Sequence, residues 1–305
     1  MIKEGTTFID LGRTTGTSVE PTMNASIIKG ALARVLQVLK LQIVMWTHEK
    51  IAWGSKARFT FGSLAAPFTG SVNYLGENFT SDNKVALLLL PEYARLVADV
   101  IAVIEDSGKS AESLSVLDVG ANIGQFGATA SRMFGCMVVS IEPNPVCWPY
   151  LAENGAGHGA WSLQKRGLAD VPRTLDLYFV RNKSAQGSFS RDNAGRGLIS
   201  GGEVESVSVS VGPYLSDTTV ATAFDLVKID VEGFELEVIR GLAGVDFEFL
   251  LVEIDEVRDH GFTQLDLENV ARDALGLVLH EVWCDRKTIK NGPRNVLYRV
   301  AAAEK

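Results

Sequence analysis

The chain has 305 residues and 46% of them are hydrophobic, which is enough for one large domain or two small ones with a buried core and excludes a disordered chain. Lys and Arg number 29 against 37 Asp and Glu, a net charge of −8. This balance argues against a broad surface that neutralises nucleic-acid phosphates and favours a small-molecule substrate. Three widely spaced cysteines, Cys136, Cys147 and Cys284, offer neither a disulfide framework nor zinc-type spacing, so a cytoplasmic location is expected.

The first part of the chain, residues 1–84, is expected to be an extension of a larger domain at residues 85–305. It lacks the cationic and apolar pattern of a signal peptide, and no segment reaches the ~18 apolar residues of a membrane span. Apolar residues at helical spacing over residues 28–39 predict an amphipathic helix, and short β-type runs follow at residues 51–53 and 57–61. The helix could lie on a membrane surface. Docking on the body of the protein, as a lid, or on a second subunit of a homodimer is favoured, because amphipathic helices are common in soluble proteins.

The next segments predict one buried helix and then an α/β domain. Residues 84–105 carry apolar residues on more than one helical face, as a largely buried helix does. From Leu114 onward, short apolar runs alternate with helical segments, which is typical of a parallel sheet covered on both faces. A helix should begin after the second strand, with Asn144 as its N-cap and Pro145 in its first turn. The predicted strands are Ser115–Val119, Met137–Ile141, Ser162–Leu168, Leu226–Ile229 and Phe249–Ile254.

Two departures interrupt this alternation. Residues 174–180 and 204–211 are predicted to form an extra β pair, joined by a Gly- and Ser-rich linker at residues 186–202 that is long enough to be a mobile active-site loop. At the C-terminus, residues 280–286 and 295–301 flank a turn and predict an antiparallel hairpin. The expected architecture is a mostly parallel sheet closed by that hairpin.

A glycine-containing turn, VLDVGANIGQF at residues 116–126, follows the first predicted strand of the sheet and precedes a helix. Such a strand, turn and helix N-terminus form a cofactor cradle, and Asn122 is the non-glycine residue type that best tolerates a left-handed backbone. A dinucleotide fingerprint would have glycine at Asn122 and Gln125, so hydride transfer with a nicotinamide cofactor fits poorly. The carboxylate of Asp118 suits a ligand with ammonium and sulfonium groups, such as S-adenosylmethionine. Glu142 ends the second strand, where an acid accepts the ribose hydroxyls.

Five motifs in succession, VLDVGANIGQF, VVSIEPNP, GLAD, DLVKIDVEGFELEVIRG and LLVEID, resemble those of the FkbM-type methyltransferases, a branch of the class I S-adenosylmethionine-dependent enzymes. Their order and spacing match over about residues 114–256. The resemblance implies a seven-stranded Rossmann-like sheet with an antiparallel C-terminal hairpin and an N-terminal helical and β extension. It also implies methyl transfer to a hydroxyl of a sugar or natural product.

The resemblance also assigns site residues in this sequence. The turn would bind the methionine part, Glu142 the ribose, Asn144 the adenine side of the pocket and Asp170 the adenine amino group. Each has a purely structural alternative, since Asp118 and Asp170 could cap turns and Asn144 could cap a helix. The residues implied for the turn are Asp118, Gly120, Asn122 and Gly124.

The candidates for chemistry are Asp230, Glu253 and His260, because they fall at or just after the carboxyl ends of the fourth and fifth predicted strands. A carboxylate such as Asp230, or the imidazole of His260, could be the general base that takes the hydroxyl proton. Alternatively, Asp230 and Glu253 could share a divalent cation such as magnesium. The metal-free version is preferred, because Gly233 stands where the metal-dependent relatives carry a catalytic lysine.

Charged residues around the fourth strand need their own explanation. Lys228 falls inside a buried strand, so it should have a carboxylate partner. Glu235 and Glu237 are best explained by the dipole at the start of a helix. The Asn-Pro-Pro-aromatic string and the Pro-Cys nucleophile of DNA-base methylating enzymes are absent, which argues further against nucleic acid. Two alternatives stay open: a nicotinamide-dependent oxidoreductase, and a catalytically silent cofactor-binding partner subunit.

Overall fold

A computed structural model describes residues 58–61, 70–74, 77–81, 90–156, 161–180, 183–192, 194, 203–216, 220–254, 261–285 and 294–303. The predicted amphipathic helix at residues 28–39, with its expected lid or dimer contact, and His260 lie outside these residues. Among the described residues, no helix is both long and apolar enough to cross a membrane.

The secondary structure alternates strands and helices through most of the chain. The strands are β1 (Arg58–Phe61), β2 (Gly70–Tyr74), β3 (Glu77–Ser81), β4 (Ser115–Val119), β5 (Met137–Ile141), β6 (Trp161–Gln164), β7 (Gly167–Leu168), β8 (Arg173–Val180), β9 (Lys183–Ser188), β10 (Val204–Gly212), β11 (Ala223–Ile229), β12 (Asp246–Ile254), β13 (Leu277–Cys284) and β14 (Arg294–Ala302). The helices are α1 (Leu90–Glu105), α2 (Gln125–Phe134), α3 (Trp148–Gly155), α4 (Glu235–Gly241) and α5 (Gln264–Leu275).

The main sheet has seven strands in the order β13-β14-β12-β11-β4-β5-β6. The five strands from β12 to β6 run parallel, and β14 and β13 close the sheet as an antiparallel hairpin. The prediction of a parallel sheet with a terminal hairpin is therefore confirmed. In the register of β4 and β11, Asp118 lies opposite Lys228, which places two charged side chains side by side at the centre of the sheet.

Helices cover both faces of this sheet, which is why its central strands are apolar almost throughout. Val116 packs in a buried cluster with α1 and α2, whereas its neighbour Leu117 packs in a second cluster with α4 and α5. Because side chains alternate along a strand, Asp118 and Lys228 point to the face that carries α1 and α2. The predicted buried helix is confirmed over Leu90–Glu105.

A smaller sheet, in the order β7-β10-β8-β9, forms from the insertion between the third and fourth strands of the main sheet. The predicted pair of β8 and β10 is confirmed. Residues 186–188, at the start of the expected linker loop, belong instead to strand β9, which pairs with β8. The single strand predicted over Ser162–Leu168 is wrong. It divides into β6 in the main sheet and β7, which pairs with β10. Arg166 lies between β6 and β7, and its side chain donates to the carbonyls of Pro213 and Tyr214. These bonds fix the place where the chain passes from the main sheet to the smaller sheet.

Strands β1, β2 and β3 form a separate antiparallel sheet that adjoins helix α3. The amide of Thr80 donates to the side-chain oxygen of Asn154 over 2.8 Å, and the Asn154 amide donates to the carbonyl of Ile123 over 2.7 Å. The buried Asn154 side chain thereby ties the N-terminal sheet to the turn between β4 and α2.

Candidate active site

The turn between β4 and α2 has the left-handed backbone that its sequence predicts. Gly120, Asn122 and Gly124 have φ of 75°, 52° and 90°. A Cβ at Gly120 would lie 1.9 Å from the carbonyl oxygen of Asp230, so any side chain there would collide with backbone. The turn therefore packs against the carboxyl end of β11, where the candidate chemical residues lie.

Lys228 lies between two carboxylates at this point. Its Nζ is 3.2 Å from Asp118 Oδ1 and 3.5 Å from Asp230 Oδ2, and it donates to the carbonyl of Gly120 over 2.9 Å. Burial works against its charge, but the fields of Asp118 and Asp230 outweigh it and raise the pKa of Lys228. The expected carboxylate partner of Lys228 is thus found, and there are two. Asp118 is fully buried, and its other oxygen accepts from the amide of Gly127 over 3.2 Å.

Glu142 joins the turn to the segment after β5. Its two carboxylate oxygens accept from the amides of Asn122 and Asn144, each over 2.7 Å. Burial raises the pKa of Glu142 to about 7, in spite of these two donors. The Glu142 carboxylate thus contacts both segments that are candidates for binding the methyl donor.

Asn144 does not cap helix α3, so that prediction is wrong. The helix begins at Trp148 with Cys147 as its N-cap, and the Asn144 side-chain oxygen instead accepts from the amide of Val146, two residues on. The reason is local: this bond closes a turn before the helix. The side-chain amide nitrogen of Asn144 is buried without a hydrogen-bond partner among the described residues, and it faces Gly187 of β9.

Asp230 receives a second donor that the sequence did not indicate. The hydroxyl of Tyr93, on α1, donates to Asp230 Oδ2 over 3.4 Å. Burial, followed by the fields of Asp230 and Glu253, raises the pKa of Tyr93 well above its usual value, so the phenol stays protonated. Tyr93 was missed because its helix was interpreted only as buried core. A polar aromatic residue within an otherwise apolar helix was the available signal.

The loop after β11 is held from inside by Glu235. Glu232 and Gly233 have φ of 55° and 102°, and Glu235 Oε1 accepts from the amides of Gly233 and Val231 over 3.2 and 3.4 Å. Glu235 is only 1% exposed, and burial raises its pKa to about 8. Glu235 therefore braces this loop in addition to its place at a helix N-terminus.

Asp170 is separated from these contacts. It follows β7, and its Oδ1 accepts from Arg173 over 2.7 Å and from the amide of Val171 over 2.9 Å. Glu253 is the penultimate residue of β12, beside β11, and is partly buried. No group of three or more His, Cys, Asp or Glu side chains within the described ranges is arranged to hold a metal ion.

The strand order, with the turn after β4, Glu142 after β5 and Asp230 after β11, defines a class I methyltransferase fold. The model of the methyltransferase FkbM domain matches residues 118–274, just over half of the chain. The chain belongs to the FkbM methyltransferase family.

Individual relatives are more distant. Methyltransferase sdnD of Sordaria araneosa is 29% identical over an alignment of 154 residues; the match covers 42% of this chain and 60% of that protein, so the chain spans less than two thirds of its length. Hexuronic acid methyltransferase AglP of Haloferax volcanii is 26% identical over an alignment of 204 residues, and the match covers 63% of this chain and 76% of that protein. The solved structure of magnesium protoporphyrin IX methyltransferase (ChlM) from Synechocystis PCC 6803 with bound SAM is 12% identical, with a TM-score of 0.43 over 71% of this chain and 84% of that chain.

Proposed function

We propose that the protein is an S-adenosylmethionine-dependent O-methyltransferase that acts on a hydroxyl group of a sugar or of a small-molecule natural product. The observation that carries the proposal is the position of Asp230. Its carboxylate stands at the carboxyl end of β11, beside the glycine turn, with one oxygen held by Lys228 and Tyr93. A carboxylate so placed is suited to accept the proton of an alcohol.

The residues of the turn fit the methyl donor. We assign Gly120, Asn122 and Gly124, together with the Asp118 and Lys228 pair beneath them, to the methionine part. Glu142 is oriented by two backbone amides and keeps lone pairs that can accept ribose hydroxyls. The buried side-chain amide of Asn144, which has no hydrogen-bond partner in the described part of the chain, fits the adenine side, since a buried donor without a partner is costly unless a ligand satisfies it. Asp170 is assigned to the adenine amino group.

When bound, S-adenosylmethionine would supply a methyl group on a positively charged sulfur. The task of the chain is then to hold an alcohol oxygen in line and to remove its proton. Asp230 is our first choice as general base, with His260 as the alternative. Lys228 and Tyr93 both contact Oδ2, so Oδ1 is the oxygen that we assign to the substrate hydroxyl. The charges of Glu253 and Asp230 both act on Lys228 and Tyr93, and a cation shared by these two carboxylates is the alternative mechanism.

The sugar as acceptor is supported by the relative from Haloferax volcanii, whose name states a hexuronic acid substrate. The net charge of −8 supports a small acceptor over nucleic acid.

The first test is calorimetric titration of the full-length protein with S-adenosylhomocysteine, with NAD as the comparison. We expect saturable binding of S-adenosylhomocysteine that Glu142→Ala abolishes and the partly exposed control Glu237→Ala leaves unchanged. Absence of binding to wild type, or binding of NAD alone, would refute the proposal.

Turnover is tested with a panel of glycosides and uronic acids, with S-adenosylhomocysteine release measured by mass spectrometry. Loss of a general base lowers the rate about 10²- to 10⁴-fold, so Asp230→Asn should reduce kcat on this scale while donor binding persists. Donor binding without release of S-adenosylhomocysteine across the whole panel would favour the catalytically silent subunit.

A further inference from the structure

A cleft of about 480 Å³ lies where the smaller sheet meets the loop that follows β11. Five residues of β8 line it together with two phenylalanines: Arg173, Thr174, Leu175, Asp176 and Tyr178, with Phe189 and Phe234. Phe189 follows β9, and Phe234 is four residues after Asp230. Both the insertion and the candidate catalytic loop therefore contribute to the cleft.

The two phenylalanines form a rigid apolar wall. Their ring centroids are 4.7 Å apart with an interplanar angle of 52°. Both rings are partly buried and pack against the cluster of Ala169, Leu177 and Val209. Since one side of each ring is held by packing, the wall can present aromatic surface to a ligand at little cost in conformational entropy.

Beside Leu175 and Tyr178, strand β8 contributes polar and charged groups to the cleft. Thr174 and Asp176 are exposed, and Asp176 accepts from the Ser208 hydroxyl over 2.7 Å. The Arg173 guanidinium lies 6.0 Å from the Phe234 ring centroid and donates to Asp170 over 2.7 Å. Hydroxyl, carboxylate and guanidinium groups thus stand around an aromatic surface, which provides both donors and acceptors.

The cleft is fixed relative to Asp230. The hydroxyl of Ser188, at the end of β9, donates to the carbonyl of Glu232 over 2.8 Å. Glu235 holds the same loop from the other side through the amide of Gly233. A ligand in the cleft would therefore meet a loop that is braced on both sides, and that begins at the proposed general base.

We propose that this cleft binds the sugar ring of the methyl acceptor, and this inference rests on the function proposed above. A pyranose ring has apolar C–H faces that pack against aromatic rings, and hydroxyls at its edge that bond to carboxylate and guanidinium groups. A flat apolar ligand would leave the polar groups of β8 unpaired.

The test is saturation-transfer NMR of the full-length protein saturated with S-adenosylhomocysteine, with methyl α-D-glucopyranoside and methyl α-D-glucuronopyranoside as probes. We expect saturation of the ring protons of at least one glycoside. Asp176→Ala and Phe234→Leu should each reduce it at least about threefold, through loss of a hydrogen bond or of aromatic contact. Asp99→Ala, a matched change on the exposed side of α1, should leave it unchanged. The affinity for S-adenosylhomocysteine should be the same in all four proteins.

Three results would overturn the inference. One is the absence of saturation of either glycoside by a protein that binds S-adenosylhomocysteine. Another is saturation that neither variant reduces. The third is weaker binding of S-adenosylhomocysteine in both cleft variants, which would assign the cleft to the methyl donor. Only a wild-type protein that binds no S-adenosylhomocysteine would refute the proposed function as well, so the two failures are distinguishable.

Discussion

The hydroxyl of Tyr93 donates to Asp230 Oδ2 over 3.4 Å and joins two segments that are 137 residues apart in the chain. Tyr93 lies before the residues that match the FkbM domain, so helix α1 adds a contact to the candidate site from outside that domain. We interpret Tyr93 as a positioning residue that orients the Asp230 carboxylate.

The first prediction concerns this contact. Tyr93→Phe removes one donor to a carboxylate, a bond worth about 1.5–3 kcal/mol, so kcat should fall by at least about tenfold. KM for the acceptor and the affinity for S-adenosylhomocysteine should change little, because neither ligand is assigned to Tyr93. Steady-state kinetics and calorimetry provide the measurements. Tyr298→Phe, the same deletion at another buried phenol, should retain full activity. Equal losses in both variants would indicate a general packing effect instead.

The second prediction concerns Lys228. Lys228→Met leaves the fully buried Asp118 without its cation, and breaking a buried pair in this way costs about 3–5 kcal/mol. Urea unfolding should show this loss in the free energy of unfolding. The double variant Asp118→Asn with Lys228→Met should recover part of it, since the fully buried side chain at position 118 is then neutral. A single variant as stable as wild type would contradict the assignment of the pair.

The third prediction is a pH dependence of stability. Burial raises the pKa of Glu235 from 4.5 to about 8 in the folded protein, so the folded state binds more protons than the unfolded state between these values. The contribution of Glu235 to stability is therefore full below about pH 4.5 and is lost as pH rises toward about pH 8.

Glu235→Gln keeps an oxygen for the two loop amides but cannot ionise. The melting temperature of the variant relative to wild type should therefore increase from about pH 5 to about pH 8, as differential scanning calorimetry can measure. Glu237→Gln, two residues away and partly exposed, is the matched control and should show a constant difference. A constant difference for Glu235→Gln as well would disprove the buried ionisation.

The fourth prediction links donor binding to Glu142, whose pKa burial raises to about 7. Ribose hydroxyls need an accepting carboxylate, so only the ionised form should bind well. With that pKa, the ionised fraction increases about tenfold from pH 6 to pH 8, and the affinity for S-adenosylhomocysteine should increase by the same factor. Titration calorimetry of wild type against Glu142→Gln tests this, and the variant should bind weakly at both pH values. A wild-type affinity for S-adenosylhomocysteine that does not change with pH would contradict the assignment of Glu142 to the ribose.

The fifth prediction concerns the metal. If Asp230 acts as a base with Lys228 and Tyr93 as its partners, treatment with EDTA should leave turnover unchanged, and added Mg²⁺ should not raise it. Loss of activity in EDTA that Mg²⁺ restores would favour the alternative in which Asp230 and Glu253 share a cation.

The local part of the site could be predicted from the sequence. The turn at Gly120, Asn122 and Gly124, and an acid at Glu142 after the next strand, follow from backbone preference and from short-range spacing. The two wrong structural predictions arose where a local sequence pattern is compatible with more than one structure. The apolar run at residues 162–168 is compatible with one strand or with two that belong to different sheets, and Asn144 can cap a helix or a turn.

The parallel sheet, its terminal hairpin and the glycine turn could be read from the sequence alone, because hydrophobic periodicity and turn chemistry act over a few residues. The partners of Lys228, the contact of Tyr93 with Asp230 and the cleft beside Phe234 became visible only once the chain was folded. They depend on strand register, on the face to which a helix packs and on where an insertion folds back. These are properties of segments distant in the chain, and single-sequence periodicity contains no information about them.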